Sequence, residues 1–484
     1  MSEHKHLRQS PIEVSIVPDD EVTASPVILR EERSDAVAES SIGTHPIGPP
    51  PAVQRSRGIP REIETIGTAP HSVWRDAFRE ITASKPAVGL GALILALLGG
   101  SLMIAFTNAA VRNAASYFFA RPSDTFAALG NAMMGAYSQL VRGSLFNWQA
   151  HGFLNQINPL INTLTNATPL IVAGLALAIT FKAGLFNIGG RGQMIMGVIL
   201  GGWAAIALQN VLPHWLTLII AVILAMIGGA LWGGLAGFLK ARTGAHEVIS
   251  TIMLNFVAFY LLQYLLATPG LLQAPGAFNP ISVAPTGAVF PRLLGGRFNL
   301  RLSFLLALAA VALIWWLLNR SALGFTFRAV GSNPRAARVA GMDVARSTVT
   351  SMALSGALMG LAGIFQLSTI AGGFTDTIDG GIGFDAITVA LLGGSNPIGI
   401  LFAGLLFGAF RGGGTALQAG QGIPVEIVQV IQSLIVLFIA APPLVRTIFR
   451  LSSPSKVADA KAARLEQART AAAAQVGITE RLVP

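Results

Sequence analysis

Residues 181–193 read FKAGLFNIGGRGQ, and residues 372–397 read GGFTDTIDGGIGFDAITVALLGGSNP. Each is a glycine-rich polar turn set between apolar runs, and in the second only about ten apolar residues separate the polar breaks. A helix needs roughly 20 residues to cross the hydrocarbon of a bilayer. Pieces of half that length, flanked by Gly and Asn, predict helices that stop inside a membrane. Backbone left unpaired at that depth survives only where protein buries it or where it lines a watery cavity. In membrane carriers such breaks point to the solute path.

Composition agrees with a membrane setting. The chain has 484 residues, 52% hydrophobic and 12% charged, with a mean hydropathy of +0.62. Soluble proteins carry roughly 25% charged residues, so the expected class is an all-α polytopic membrane protein. The 53 glycines suit helices that pack backbone to backbone, since lipid supplies no hydrophobic drive for association. There is no cysteine, which excludes disulfides, thiol catalysis and zinc–thiolate sites. The net charge of +10 sits on arginines scattered at helix ends; this is the pattern of loops that orient a membrane protein rather than of nucleic-acid binding. Residues 1–75, rich in Pro, Ser and charge, read as a mostly disordered cytoplasmic tail. Residues 76–450 read as the transmembrane domain and 451–484 as a second cytoplasmic tail without a long apolar face.

Working outward from the two breaks, apolar segments fall near 87–109, 168–185, 194–211, 214–238, 247–267, 303–319, 347–371, 385–394, 397–411 and 424–445. Arg75, Arg79 and Lys85 precede the first, which places both tails inside and the stretches 110–160 and 268–302 outside. Segments 168–267 and 347–445 hold four passes each, enter from opposite sides and carry one glycine break apiece, as in an inverted repeat of two four-helix halves.

The inward loop 320–346 contains GFTFRAVGSNPRAARVAGMDVAR from Gly324 to Arg346. Ser332 and Asn333 are N-cap residues, Pro334 suits the first helical position, and Gly341 ends the helix that they open. Arg335 to Val339 then form a short basic helix, either docking into a partner's groove or simply fixing topology.

The loop pattern, carried by Gly324, Arg328, Ala329, Gly331, Asn333, Pro334, Ala336, Ala337 and Gly341, resembles the coupling loop of ABC-importer permeases for ribose, branched-chain amino acids and nucleosides. GLFNIGGRGQ at 184–193, HEVISTIMLN at 246–255 and GFDAITVALLGGSNP at 383–397 make it most similar to nucleoside and simple-sugar permeases working with basic-membrane-protein-type lipoproteins. The resemblance covers about 75–450. It implies a bacterial plasma-membrane complex of two permease subunits, identical or different, with cytoplasmic ATP-binding cassette subunits and an extracytoplasmic solute-binding lipoprotein. Arg328, Gly331, Asn333, Pro334, Arg335, Ala336, Ala337, Arg338 and Gly341 would couple to the ATPase. Two positions depart from the family's pattern. Arg191 stands where an acidic residue is usual, and His246 where Asn is usual. No GxxxxGK[ST] phosphate loop occurs, so the chain is expected to hold no cofactor, with ATP used by its partner.

Candidate path residues come from the breaks. Asn187, Gly189, Gly190 and Gln193 offer amides and exposed backbone to a sugar or base; the alternative is that the amides cap the break and the glycines permit close crossing. Phe384, Asp385 and Thr388 open the second short segment. Asp385 is either an acceptor for ribose hydroxyls or a charge set against the helix dipole. Glu426, Gln429 and Gln432 recur every three residues and share one face. The function expected is a permease subunit forming the pathway for nucleosides or simple sugars. The competing reading is an ATP-independent secondary carrier or channel, for which Asp385 and Glu426 are the titratable candidates; no nucleophile–base pairing or metal cluster marks an enzyme.

Overall fold

The computed structural model describes residues 85–424 and 426–449; the tails expected at 1–75 and 451–484 lie outside the described residues. Among these, α1 (Lys85–Thr107), α2 (Ala109–Ala115) and α3 (Pro122–Ser144) lead into α4 (Phe153–Lys182), α5 (Gly190–Leu208), α6 (His214–Thr243) and α7 (Glu247–Ala267). An irregular stretch, 268–302, precedes α8 (Ser303–Arg320), α9 (Ala322–Ser332) and α10 (Pro334–Val339). The last group is α11 (Val344–Leu367), α12 (Ile382–Leu392), α13 (Pro397–Gln421), α14 (Glu426–Ala440) and α15 (Pro442–Ile448). Eight of these helices are long and apolar enough to cross a membrane, and α12 and part of α14 are shorter apolar pieces. This is the all-α polytopic architecture expected, with the ten apolar segments in their expected order.

Burial separates the centre from the rim. The apolar windows of α4 and α11 are 78% and 72% buried, against 28% and 22% for α6 and α7. Helices α4 and α11 pack on each other, with α13 along α4 and α6 along α11. The pairing is thus reciprocal between the two halves of the chain. Small residues make it possible. On Gly174 of α4 a Cβ would meet Val389 Cγ1 at 2.8 Å and Ile400 Cγ2 at 2.9 Å. Gly356 of α11 lies against the backbone carbonyl of Gly229 of α6, and the reverse holds. A second apolar cluster joins α1, α3, α13 and α14 through Ala96, Ile104, Ala136, Phe410, Ile427 and Ile431. The 268–302 stretch packs on residue 374, with Phe374 N donating to Ser282 Oγ at 2.9 Å.

Three segment boundaries differ from the sequence reading, two for a polar reason and one for proline. Helix α4 starts at Phe153 rather than near 168, and α3 occupies part of the 110–160 stretch expected to lie outside. The first half of α4 carries Asn155, Asn158, Asn162, Thr165 and Asn166, which erase its apolar signal although they recur at helical spacing. Helix α13 runs ten residues past Arg411 to Gln421; a lone arginine looked like an end because its partner lies on another helix. The last segment breaks before Pro442 and Pro443 into α14 and α15.

Candidate functional site

The first break lies between α4 and α5 and is closed by side-chain amides. Asn187 is fully buried, and its Oδ1 accepts from Gly189 N at 2.9 Å and from Gln193 Nε2 at 3.2 Å. Its Nδ2 donates to Gln193 Oε1 at 3.2 Å and to Ser355 Oγ at 3.1 Å. Asn255, the last residue of HEVISTIMLN, donates to Ile188 O at 3.0 Å and accepts from Gly192 N at 2.8 Å. Interrupted backbone inside a bundle needs such partners, and that motif supplies them. Thr251 packs within 3.0 Å of where a Gly189 Cβ would stand, and Gly190 lies against Met359 and Gly383 O. Asn187, Gly189, Gly190 and Gln193 therefore sit together, hydrogen-bonded within the protein and outside the lining of the cavity between α4, α12, α13 and α14.

The starts of the two broken helices touch. A Cβ on Gly383 of α12 would meet Arg191 N of α5 at 2.5 Å. Arg191, the residue that departs from the family pattern, lies 3.3 Å through Nε from Asp379 Oδ1, an ionic contact without hydrogen-bond alignment. Its guanidinium also covers the Phe259 ring at 4.9 Å. Asp379 Oδ2 accepts from Gly381 N at 3.2 Å, so the pair ties the N-terminus of α12 to α5. The Asp379 side chain is 6% exposed and that of Arg191 28%. Arg191→Ala is expected to destabilise by roughly 1–3 kcal/mol, less than the about 3–5 kcal/mol for breaking a fully buried pair. The check is the thermal midpoint in detergent, with Arg191→Ala/Asp379→Ala recovering much of the loss. An unchanged midpoint in the single variant would show that the contact holds nothing.

A cavity of about 720 Å³ opens between α4, α12, α13 and α14. Phe384, Asp385, Thr388 and Gln429 line it together, so the structure gathers these sequence candidates. Glu426 is exposed and outside the lining, whereas Gln432 and Ser433 are part of it. Asp385 stands in the first turn of α12, where its charge meets the helix dipole. Its Oδ2 also accepts from Arg411 Nη2 at 2.7 Å, and the same nitrogen donates to Gly380 O at 2.8 Å. Asn166 and Thr415 also line a second cavity of about 350 Å³, together with Asn162, Thr165, Asn299 and Arg301. Sequence reasoning missed Arg411 and the asparagines of α4. An arginine enclosed by apolar residues was the signal for the first, and the three-to-four spacing of Asn155, Asn158, Asn162 and Asn166 for the second.

The loop forms the short helix expected. Asn333 caps α10, its Oδ1 accepting from Arg335 N at 3.0 Å and Ala336 N at 3.1 Å, with Pro334 in the first turn. At the other end Gly341, φ 82°, donates to Arg338 O at 3.0 Å and Met342 N to Ala337 O at 3.0 Å. These two bonds are a Schellman stop. Ala337 is buried while Arg335, Ala336, Arg338 and Val339 point out. Gly331 anchors the helix to the bundle by lying against Lys182 O and Gly184 N of the α4 end. Arg328 precedes it on α9 with Nη1 buried.

Broken helices around a polar cavity, with a capped basic helix standing off one end, fit a membrane permease. A profile of the family described as branched-chain amino acid transport system / permease component matches residues 160–440, and the chain belongs to that family. It is similar to the guanosine ABC transporter permease protein NupP of Bacillus subtilis (strain 168), 35% identical over 322 residues, 64% of this chain and 90% of that protein. It is similar to the nucleoside ABC transporter permease protein NupB of Lactococcus lactis subsp. cremoris (strain MG1363), 32% identical over 313 residues, 63% of this chain and 85% of the other. The glucose ABC transporter permease protein TsgB13 of Haloferax volcanii is 35% identical over 289 residues, 58% of this chain and 75% of its own length. The chain is thus a multi-pass permease component of an ABC import system.

Proposed function

We propose that this permease carries a nucleoside or simple sugar through the cavity between α4, α12, α13 and α14, driven by an ATPase that grips α10. The carrying observation is the cavity itself. Its 720 Å³ is within the about 300–1,000 Å³ of small-molecule sites, and it mixes amides, hydroxyls and one ion pair with Phe384, Phe407, Phe410 and Val428. A neutral solute with a polar and an apolar part suits that lining. Nucleosides rank first because HEVISTIMLN and the FNIGG break are built into this bundle, and because relatives such as NupP and NupB carry nucleoside names.

Helix α10 suits the coupling role because it is capped at both ends, anchored through Gly331, and presents Arg335, Arg338 and a 91%-exposed Val339 outward. The loop then lies in the cytoplasm of a bacterial cell, with both termini on that side. A second permease subunit completes the path, and an extracytoplasmic lipoprotein delivers the solute. The break residues Asn187, Gly189, Gly190 and Gln193 support the path by holding the start of α5.

The test is a proteoliposome containing this chain, its partner permease, the ATPase and the binding protein. Guanosine or glucose is expected to raise ATP hydrolysis several-fold above the solute-free rate, with uptake in step. Hydrolysis unmoved by either, or uphill uptake by this chain without the ATPase, would overturn the proposal.

A further inference from the structure

We infer that this cavity itself reads the vicinal hydroxyls of a neutral ribonucleoside, with Asp385 Oδ1 accepting, Gln432 Nε2 donating, and Arg411 positioning Asp385. The inference rests on the transport reading above and adds the part of the solute that is recognised and the residues that recognise it.

Three observations meet here. Gln432 is only 7% exposed, lines the cavity, and its Nε2 is buried with no hydrogen-bond partner among the described residues. A buried donor without a partner is costly, and an acceptor brought by a solute would relieve it. Asp385 has one oxygen committed: Oδ2 is held by Arg411 Nη2 at 2.7 Å. No hydrogen bond reaches Oδ1 among the described residues, so on a residue that lines the cavity that oxygen keeps its acceptor capacity. Arg411 Nη2 is fixed in turn by Gly380 O at 2.8 Å, which fixes the carboxylate through it. A cis-diol offers the matching set, since one hydroxyl donates to a carboxylate while its neighbour accepts from an amide.

Charge supplies the third observation. Among the described residues, Asp385 and Arg411 are the lining's one acid and one base, and they neutralise each other. A phosphorylated solute would find no unpaired cation in that lining, and its own charge would be left uncompensated. The lining therefore favours nucleosides over nucleotides. Phe384, 51% exposed beside Asp385, provides a ring face for the base.

The experiment measures ATP-driven uptake by the complete reconstituted complex with three probes: guanosine, 2′,3′-dideoxyguanosine and guanosine 5′-monophosphate. The binding protein is the same in every arm, so a change in the kcat/KM ratio between probes belongs to this cavity. Wild type is expected to prefer guanosine over both others. Gln432→Leu and Asp385→Asn are expected to lower the guanosine-to-dideoxyguanosine ratio by about tenfold, as for a site that loses its partner for a solute hydroxyl. Arg411→Met should do the same, with Arg411→Lys restoring most of the ratio, which a merely structural role would not require. Rates are normalised to assembled complex. Gln432→Leu removes a buried unpaired donor, is expected to assemble, and decides the matter if Asp385→Asn does not. Uptake that falls with the ratio unchanged overturns hydroxyl reading and leaves the cavity as the path. Uptake and ratio both unchanged overturn the path as well. Glucose uptake without guanosine uptake overturns the ribonucleoside assignment alone.

Discussion

Gly341→Pro is expected to abolish solute-driven ATP hydrolysis while leaving the protein in the membrane. Gly341 holds φ at 82° and donates to Arg338 O, and the next amide, Met342 N, closes the stop onto Ala337 O. Proline is locked near −65° and has no N–H, and it also disfavours the helical conformation of Ala340 before it. A lost hydrogen bond and a forced backbone change are each worth about 1–2 kcal/mol, together about a hundredfold in coupling. A six-residue helix cannot stand without its caps. The bundle should not notice, because a Cβ at Gly341 meets nothing within 4 Å. Arg338→Glu, which reverses an exposed charge on the same helix, is expected to have a similar effect through the partner contact alone. Stimulated hydrolysis at the wild-type level in both variants would remove α10 from the coupling role.

The larger structural effect is expected from Gly356→Leu. Gly356 of α11 and Gly229 of α6 face one another so closely that a Cβ on either would meet the other's backbone carbonyl. Gly360 makes the same contact with Ala225 O, and Gly233 with Met352 O. A leucine cannot be absorbed by rotating a side chain, since the obstruction is main chain. The helices must part, and the penalty exceeds the about 1–3 kcal/mol of ordinary overpacking. Because α11 also packs on α4 and α5, the damage reaches the core. We expect little or no monodisperse protein by size-exclusion chromatography after detergent extraction. Gly234→Leu is the control: its Cβ would find Ala353 Cβ at 3.6 Å, an ordinary contact, on a face lined by Ile227, Leu231, Leu235 and Phe238. Equal recovery of the two variants would show that the backbone contact is dispensable.

The parts of this protein legible in the sequence are those whose signal is local. Span length and apolar content marked ten segments. Glycine and asparagine marked the breaks at 183–189 and before Ile382. Asn333, Pro334 and Gly341 spelled a capped helix, because caps are chemistry between residues a few positions apart. The misses share a cause. Helix α3 and the start of α4 fall in the 110–160 stretch expected outside, and the apolar segment 397–411 ends at Arg411, because polar residues weigh against a lipid setting. Arg411, Asn162, Thr165 and Asn166 line cavities instead.

Composition and local pattern by themselves determined a many-span helical membrane protein, where its helices break, and the short basic helix α10 with both its stops. Helix length, apolar content and capping act within a few turns of chain, so one sequence carries them. Tertiary structure alone decided which polar residues share a space. It set Asp385 of α12 against Arg411 of α13 and Gln432 of α14, and turned the amides of Asn187 and Gln193 onto each other. Those meetings join residues far apart in the chain, brought together by helix crossings that glycines such as Gly174 and Gly356 permit.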